Sequence, residues 1–269
     1  MNRAASYVVL TFFTALILVP FMLIALTAFK TQQELFAGIF ALPKAPTLEN
    51  FVRAWTEGNF GRYFLNSSIV VVPVVSASLL LSTLSGYAFA LLPLPGRGFL
   101  LGLLFLGMIV PLEGLIVPMY YNLRGLGLVN TYWALILPQI ALSLPFGTYL
   151  MWTTFRSLPR ELIDAAVIDG ANKRVILWRV LVPLARPTLS VLMVFFFIWT
   201  WNEFLIPLVL VSDDSLRTLP IGIAFFQGRY TTDIPVLAAG ATIVATPLIV
   251  VYLIFQRQFI HGLVTGAIK

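Results

Sequence analysis

The chain contains no cysteine and a single histidine, His261. Without thiols it can form no disulfide framework and no thiolate metal site, and one imidazole cannot build a histidine-rich metal cluster. Charge is also scarce. Asp, Glu, Lys and Arg make up 10% of the residues, against about 25% in a soluble globular domain, which excludes one water-soluble globule with a charged surface. The dipeptide Gly-Lys never occurs. A Walker-type phosphate loop is therefore absent, and the chain cannot be its own ATPase.

Hydrocarbon takes the place of charge. Hydrophobic residues make up 59% of the 269 positions, and mean hydropathy is +0.95. Six apolar segments approach the ~20 residues needed to cross a bilayer. They run Tyr7–Phe29, Ile69–Leu92, Phe99–Tyr121, Tyr132–Trp152, Thr188–Val211 and Val236–Phe255. The first is too long for a signal-peptide core and no small-x-small cleavage site follows it, so it reads as a retained span. The expected fold is an all-α integral membrane protein of six transmembrane helices, a single domain over residues 1–269. The pI near 9.8 does not imply nucleic acid. The basic residues are spread over membrane-flanking loops, where they set orientation and meet anionic lipid.

The longest polar island is RELIDAAVIDGANKRVILWRVLVPLARP, Arg160 to Pro187. Ser157 and Pro159 are start signals for a short helix. Leu162, Ala165, Ala166 and Asp169 share one helical face, and the two alanines keep it flat enough for another surface to approach. Gly170 stands where that helix ends, since glycine accepts the left-handed conformation of a terminating turn. Asn172 can cap a second short helix from Lys173 to Leu181. Pro183 closes it, and Pro187 opens the next span. The predicted product is a helix–turn–helix knob over about 157–187. Placing this loop inside puts Arg3, Arg97, Arg156, Arg160, Lys173, Arg174, Arg179, Arg186, Arg257 and Lys269 on the cytoplasmic side. Lys30, Lys44, Arg53, Arg62, Arg124, Arg217 and Arg229 fall outside. Both termini are therefore expected to be cytoplasmic.

This island resembles the signature loop of bacterial ABC importer permeases, whose pattern is Glu-Ala-Ala, three residues, Gly, nine residues, Ile, one residue, Leu-Pro. Here Asp164-Ala165-Ala166, Gly170, Val180 and Val182-Pro183 keep every spacing, with Asp for Glu and Val for Ile and Leu. Beyond the loop, FKTQQELF, LPKAPTLENF, YFLNSSIV, NTYWALILPQIALSLPFGTYL, TWNEFLIPLVL, RTLPIGIA and QRQFIHGLVTGAIK are similar to the sugar branch of that family, closest to the smaller permease of maltose-type systems. The resemblance implies a permease subunit of an ATP-driven carbohydrate importer in the bacterial cytoplasmic membrane, not an enzyme. It implies as partners a second permease, two ATPase subunits that bind ATP and Mg, and an extracytoplasmic sugar-binding protein; this chain needs no cofactor. Glu161, Asp164, Ala165, Ala166, Asp169, Gly170, Val180 and Pro183 would couple to the ATPases. The tail Gln256–Lys269 would touch them too.

Two ionisable residues fall within spans, Glu113 and Glu203. An intramembrane carboxylate costs about 2.5–3.5 kcal/mol on insertion scales, which makes each a candidate functional residue. Asn202 and Glu203 offer hydrogen bonds to a sugar, and Trp199, Trp201 and Phe204 offer flat faces. Alternatively, Glu203 ties two helices together. Glu113 occupies a position where sugar permeases more often carry Gln, so it either meets substrate, pairs with the partner permease, or sits near the outer interface. The competing class is a proton-coupled secondary transporter with Glu113 and Glu203 as relay carboxylates. Pro73, Pro111, Pro118, Pro138, Pro145, Pro207 and Pro247 lie inside spans, where each is expected to bend its helix. Asn66-Ser67-Ser68 is expected to cap the second span.

Overall fold

The computed structural model describes residues 3–38, 40–229 and 233–267, with side chains given for fewer of them near Ala37, from 225 to 229 and beyond Gln256. No strand occurs among the described residues. Among the described residues four helices are long and apolar enough to cross a membrane, or up to six spans if each of two sharply bent pairs counts as one. By Cα proximity the chain divides into two compact units, Met1–Leu65 with Thr218–Pro247, and Asn66–Arg217 with Leu248–Lys269.

The first unit begins with α1, Arg3–Ala28, which runs unbroken through Pro20. Its carbonyl end is sealed by a side chain. Buried Asn50 of α2, Glu49–Thr56, donates from Nδ2 to the carbonyls of Ala28 and Lys30, both at 2.8 Å. This satisfies oxygens that a helix terminus leaves without partners. The intervening loop is closed by Glu34, whose Oε1 accepts from the backbone N–H of Lys44 at 2.8 Å and Ala45 at 3.1 Å, while Oε2 accepts from Thr31 N at 2.9 Å. Lys30 is fully buried, and its Nζ donates to Gly38 O at 3.3 Å. Phe60, at the start of α3 (Phe60–Leu91), fits against Gly240 of α13 (Ile234–Ala267), where an added Cβ would stand 2.8 Å from its ring. Tyr63 fills the corresponding space beside Gly222 of α12, Leu219–Arg229. Arg53 pairs with Asp233 at 2.7 Å.

The second unit holds most of α3, then α4 (Arg97–Ile109), α5 (Leu112–Gly125) and α6 (Tyr132–Ser157). After α6 come α7 (Arg160–Ile168), the single turn α8 (Lys173–Val175), a π-helical segment Ile176–Leu181, α9 (Val182–Leu184), α10 (Arg186–Asn202) and α11 (Leu205–Leu210). α3 and α6 approach backbone to backbone. A Cβ on Gly147 would collide with Ser82, and one on Gly86 with Met151; small residues permit this approach in membrane helices. The Ser85 and Thr148 hydroxyls bond across the same seam at 2.7 Å. At the other end Val70, Val74, Leu135, Ile206 and Leu210 are buried together.

Three expectations about helix ends are corrected. Asn66 does not cap the second span, because α3 starts at Phe60. Instead Asn66 Nδ2 donates to the carbonyls of Ser215 and Arg217 at 2.9 and 2.8 Å, and its Oδ1 accepts from Tyr132 OH at 2.7 Å. The third span is not one helix: it breaks between Ile109 and Leu112 with a bend of 102°. Val110, with ψ 119°, takes the extended backbone that the following proline demands. The fifth span is broken as well, between Asn202 and Leu205. The other span prolines, Pro73, Pro118, Pro138, Pro145 and Pro247, remain inside continuous helices.

Candidate functional site

The polar loop forms the expected pair of short helices joined by a tight turn. α7 ends in a complete Schellman arrangement, with Ala171 N donating to Ala166 O at 2.9 Å and Gly170 N to Val167 O at 3.0 Å. Gly170 has φ +79°, a conformation that costs a residue with a side chain about 1–2 kcal/mol. Asn172 Oδ1 accepts from Val175 N at 2.9 Å, capping the next helix as its spacing implied. Ser157 does not start α7. Its hydroxyl turns back to Thr154 O at 2.8 Å, and α7 opens at Pro159 without a side-chain cap.

No residue of α7 is buried. Glu161, Asp164, Ala165 and Asp169 are exposed and Ala166 half-buried. Leu162, Val167 and Ile168 present 43%, 56% and 85% of their surface, an apolar patch on a short helix that is otherwise polar. Patches of this kind on exposed elements mark interaction sites. Glu161 in the first turn also suits the positive end of the helix dipole.

The segment after α7 departs from the expected α-helix Lys173–Leu181. Residues 176–181 wind as a π-helix, with Val182 N bonding to Leu177 O. Pro183 lacks the N–H that would reach back to Arg179, and its ring would press on that carbonyl in an α-helix; the wider π turn relieves both. Pro183 therefore does not end the helix. α9 continues through it to Leu184, and the break comes at Ala185 (ψ 3°), beyond which α10 starts at a 76° bend. Ile176, Leu177 and Leu181 are buried and anchor the segment, while Val180 and Pro183 are half-buried. α7 packs directly on this anchored turn. The only signal for it in the sequence is a proline in the middle of an otherwise helical run.

The proposed pathway residues scatter more. Glu203 sits at the α10–α11 break with ψ 121°, and its Oε1 accepts from Ile206 N at 2.9 Å. Phe204 is the N-cap of α11; Glu203, one residue before it, satisfies an N–H of the first turn, and Pro207 falls in that same turn, where its missing N–H is tolerated. Asn202 is exposed and donates to its own helix at Ile198 O, 2.8 Å. Trp201 is 2% exposed and stacks on Phe197 with centroids 5.4 Å apart at 14°. The expected flat face of Trp201 is therefore covered. Trp199 and Phe204 remain 44% and 39% exposed, with Trp199 also held edge-on by Phe146 at 5.2 Å. Glu113 is exposed in the first turn of α5, immediately after the other break. Both carboxylates thus stand where a span is interrupted. The two helices they begin, α5 and α11, pack on each other.

Around this cluster lie polar residues that sequence reasoning missed. Asn130, left-handed at φ 64°, accepts at Oδ1 from Ser212 N at 3.1 Å and Asp213 N at 2.9 Å, and its own N–H bonds Leu210 O. With Asn66 and Tyr132 it ties the starts of α3 and α6 to the segment after α11. A left-handed Asn in the run LVNTY is a recognisable turn signal, but its partners lie far along the chain. The tail residues His261, Gly262, Gly266 and Lys269 lie outside the described side chains.

Residues 78–264 match the family of binding-protein-dependent transport system inner membrane components. The chain belongs to that family. It is similar to a diacetylchitobiose uptake system permease of Streptomyces coelicolor, 35% identical over 99% of this chain and 89% of the relative. It is also similar to a multiple sugar-binding transport system permease of Streptococcus mutans, 32% identical over 100% of this chain and 98% of that one. The fold matches a chain of a bacterial ABC transporter involved in the import of the acidic polysaccharide alginate. That match has a TM-score of 0.80 and 23% identity over 96% and 98% of the two chains. This permease is accordingly an all-α membrane component of an ABC importer. The proton-coupled carrier finds no support: Glu203, one of its two relay carboxylates, is engaged by the backbone N–H of Ile206.

Proposed function

We propose that this permease forms half of the translocation pathway of an ATP-driven carbohydrate importer, carrying a di- or oligosaccharide. The relatives named for sugar uptake support the cargo class. The mechanism rests on the 157–187 loop: an exposed α7 seated on a buried π turn that leads, through one bend, into α10. Two ATPase subunits, which carry the ATP and Mg sites, receive α7 in surface clefts through Leu162, Ala165, Ala166 and Ile168. Closure of the ATPases moves α7. Ile176, Leu177 and Leu181 transmit that motion to α10 and so to the break at Glu203. A second permease completes the pathway, and an extracytoplasmic binding protein delivers the sugar. Both termini are cytoplasmic. Glu113, Asn202, Glu203 and Phe204 border the route, and this chain does no bond chemistry.

Reconstitution in liposomes tests this reading. The complete complex should take up sugar when ATP is inside and the loaded binding protein outside. The chain alone should neither hydrolyse ATP nor concentrate sugar. Proton-driven accumulation by the chain alone would overturn it.

A further inference from the structure

The second unit carries an open wedge of about 430 Å³ between α3 and α4. Leu81 and Phe89 line one side, Leu100, Leu103 and Leu104 the other, and Leu144 of α6 contributes to the floor. α4 is held against α6. Phe105 meets Tyr149 edge-on at 5.5 Å, and a Cβ on Gly107 would stand 3.5 Å from the Pro145 ring. Leu81, Leu100 and Leu103 are left 41%, 40% and 56% exposed.

Two hydroxyls border the wedge, Ser85 and Thr148, and they are used by each other. Ser85 Oγ donates to Leu81 O at 2.8 Å, which leaves Thr148 Oγ1 to donate to Ser85 across 2.7 Å. A sugar placed here would lose hydrogen bonds to water with nothing in return. Hydrocarbon would lose nothing, and the volume falls within the ~300–1,000 Å³ usual for ligand cavities. One end of the wedge is charged. Arg97 opens α4 one turn before Leu100, on the same helical face. Apolar walls that end at a cation are complementary to an acyl chain carrying a negative headgroup.

We propose that the α3–α4 wedge holds an acyl chain of one anionic phospholipid whose headgroup is bound by Arg97. Native mass spectrometry of the assembled complex tests it, after exchange into detergent with dioleoyl-phosphatidylglycerol or dioleoyl-phosphatidylcholine. The wild-type complex should retain phosphatidylglycerol in preference. Leu104→Trp, which fills the wedge, should retain one lipid fewer for each copy of this chain. Leu100→Asn, smaller and polar, should do the same in a complex of normal size on gel filtration. Arg97→Gln should reduce the preference for phosphatidylglycerol about fivefold, the worth of one surface cation. Equal retention of both lipids by the wild type, or an undiminished count in both wedge variants, would overturn the proposal. So would a Leu103→Cys complex that cross-links to the neighbouring permease and holds no lipid, since the wedge would then be a protein interface.

Discussion

Replacing Gly170 tests the coupling turn with little ambiguity. At φ +79° its backbone lies in the left-handed region, and an added Cβ would meet no atom within 4 Å. Any cost of a side chain is therefore torsional and not steric. Alanine should cost the turn about 1–2 kcal/mol. Valine, branched at Cβ, should reach about 1–3 kcal/mol. Asparagine, which tolerates this region, should cost least. Gly102 supplies the control: it too has no neighbour within 4 Å, yet it lies inside α4 without a positive φ, so Gly102→Ala should stabilise, by about 0.5–1 kcal/mol, and not destabilise. A shift of 1–3 kcal/mol in a turn that must hold α7 against an ATPase lowers the docked fraction by about 5- to 150-fold. The assay is uptake by the reconstituted complex, read beside recovery of ATPase subunits on the purified permease. The expected order of loss is Val, then Ala, then Asn, with Gly102→Ala like wild type. Normal uptake and normal ATPase recovery in Gly170→Val would refute the coupling role of the loop.

Glu203→Ala removes the acceptor for Ile206 N and should destabilise by about 0.5–2 kcal/mol. Glu203→Gln keeps an acceptor oxygen and should melt like wild type, while its uptake changes with the ATPases still bound; unchanged uptake in Glu203→Gln would remove any role for the charge. Asn66→Ala takes partners from the Ser215 and Arg217 carbonyls and from Tyr132 OH. At about 1–3 kcal/mol for each buried group left unsatisfied, its thermal melt should fall well below that of an exposed-site control, and an unchanged melt would show the network to be dispensable. Glu34 is held below the ordinary carboxylate range first by the backbone N–H of Thr31, then by those of Ala45 and Lys44. A depressed folded-state pKa stabilises the loop at pH values above the unfolded pKa, and this is lost as pH falls through the folded value. Amide exchange at Lys44 and Ala45 should therefore accelerate in acid beyond its intrinsic pH dependence. Glu34→Gln should abolish that extra dependence, and a wild-type loop indifferent to acid would contradict the assignment.

The spans and the knob were legible because they rest on local physics. Runs of apolar residues near twenty long have no other stable place, and the knob's turn is written in Gly170 and Asn172, whose hydrogen bonds are to residues within five positions. Fold class and family followed from these two features and from the motif spacing. Proline was where local reasoning failed. Eight span prolines, Pro20 included, carry the same local penalty, yet among them only Pro111 and Pro207 accompany breaks. Whether a helix continues past a missing N–H depends on what neighbouring elements supply; at the break before Pro207 the Glu203 side chain turns to Ile206 N, three residues on, and a new helix starts. The π turn at 176–181 is another case: Pro183 requires relief, but the buried Ile176, Leu177 and Leu181 select a widened turn over a kink. Asn66 shows the same limit, since its partners at Tyr132, Ser215 and Arg217 are brought to it by the packing of α3, α6 and the segment after α11. The sequence by itself determined a membrane-embedded helical chain with a docking knob. Tertiary structure decided which prolines interrupt a span and which are carried through a continuous helix, because that choice belongs to contacts between residues distant in the chain.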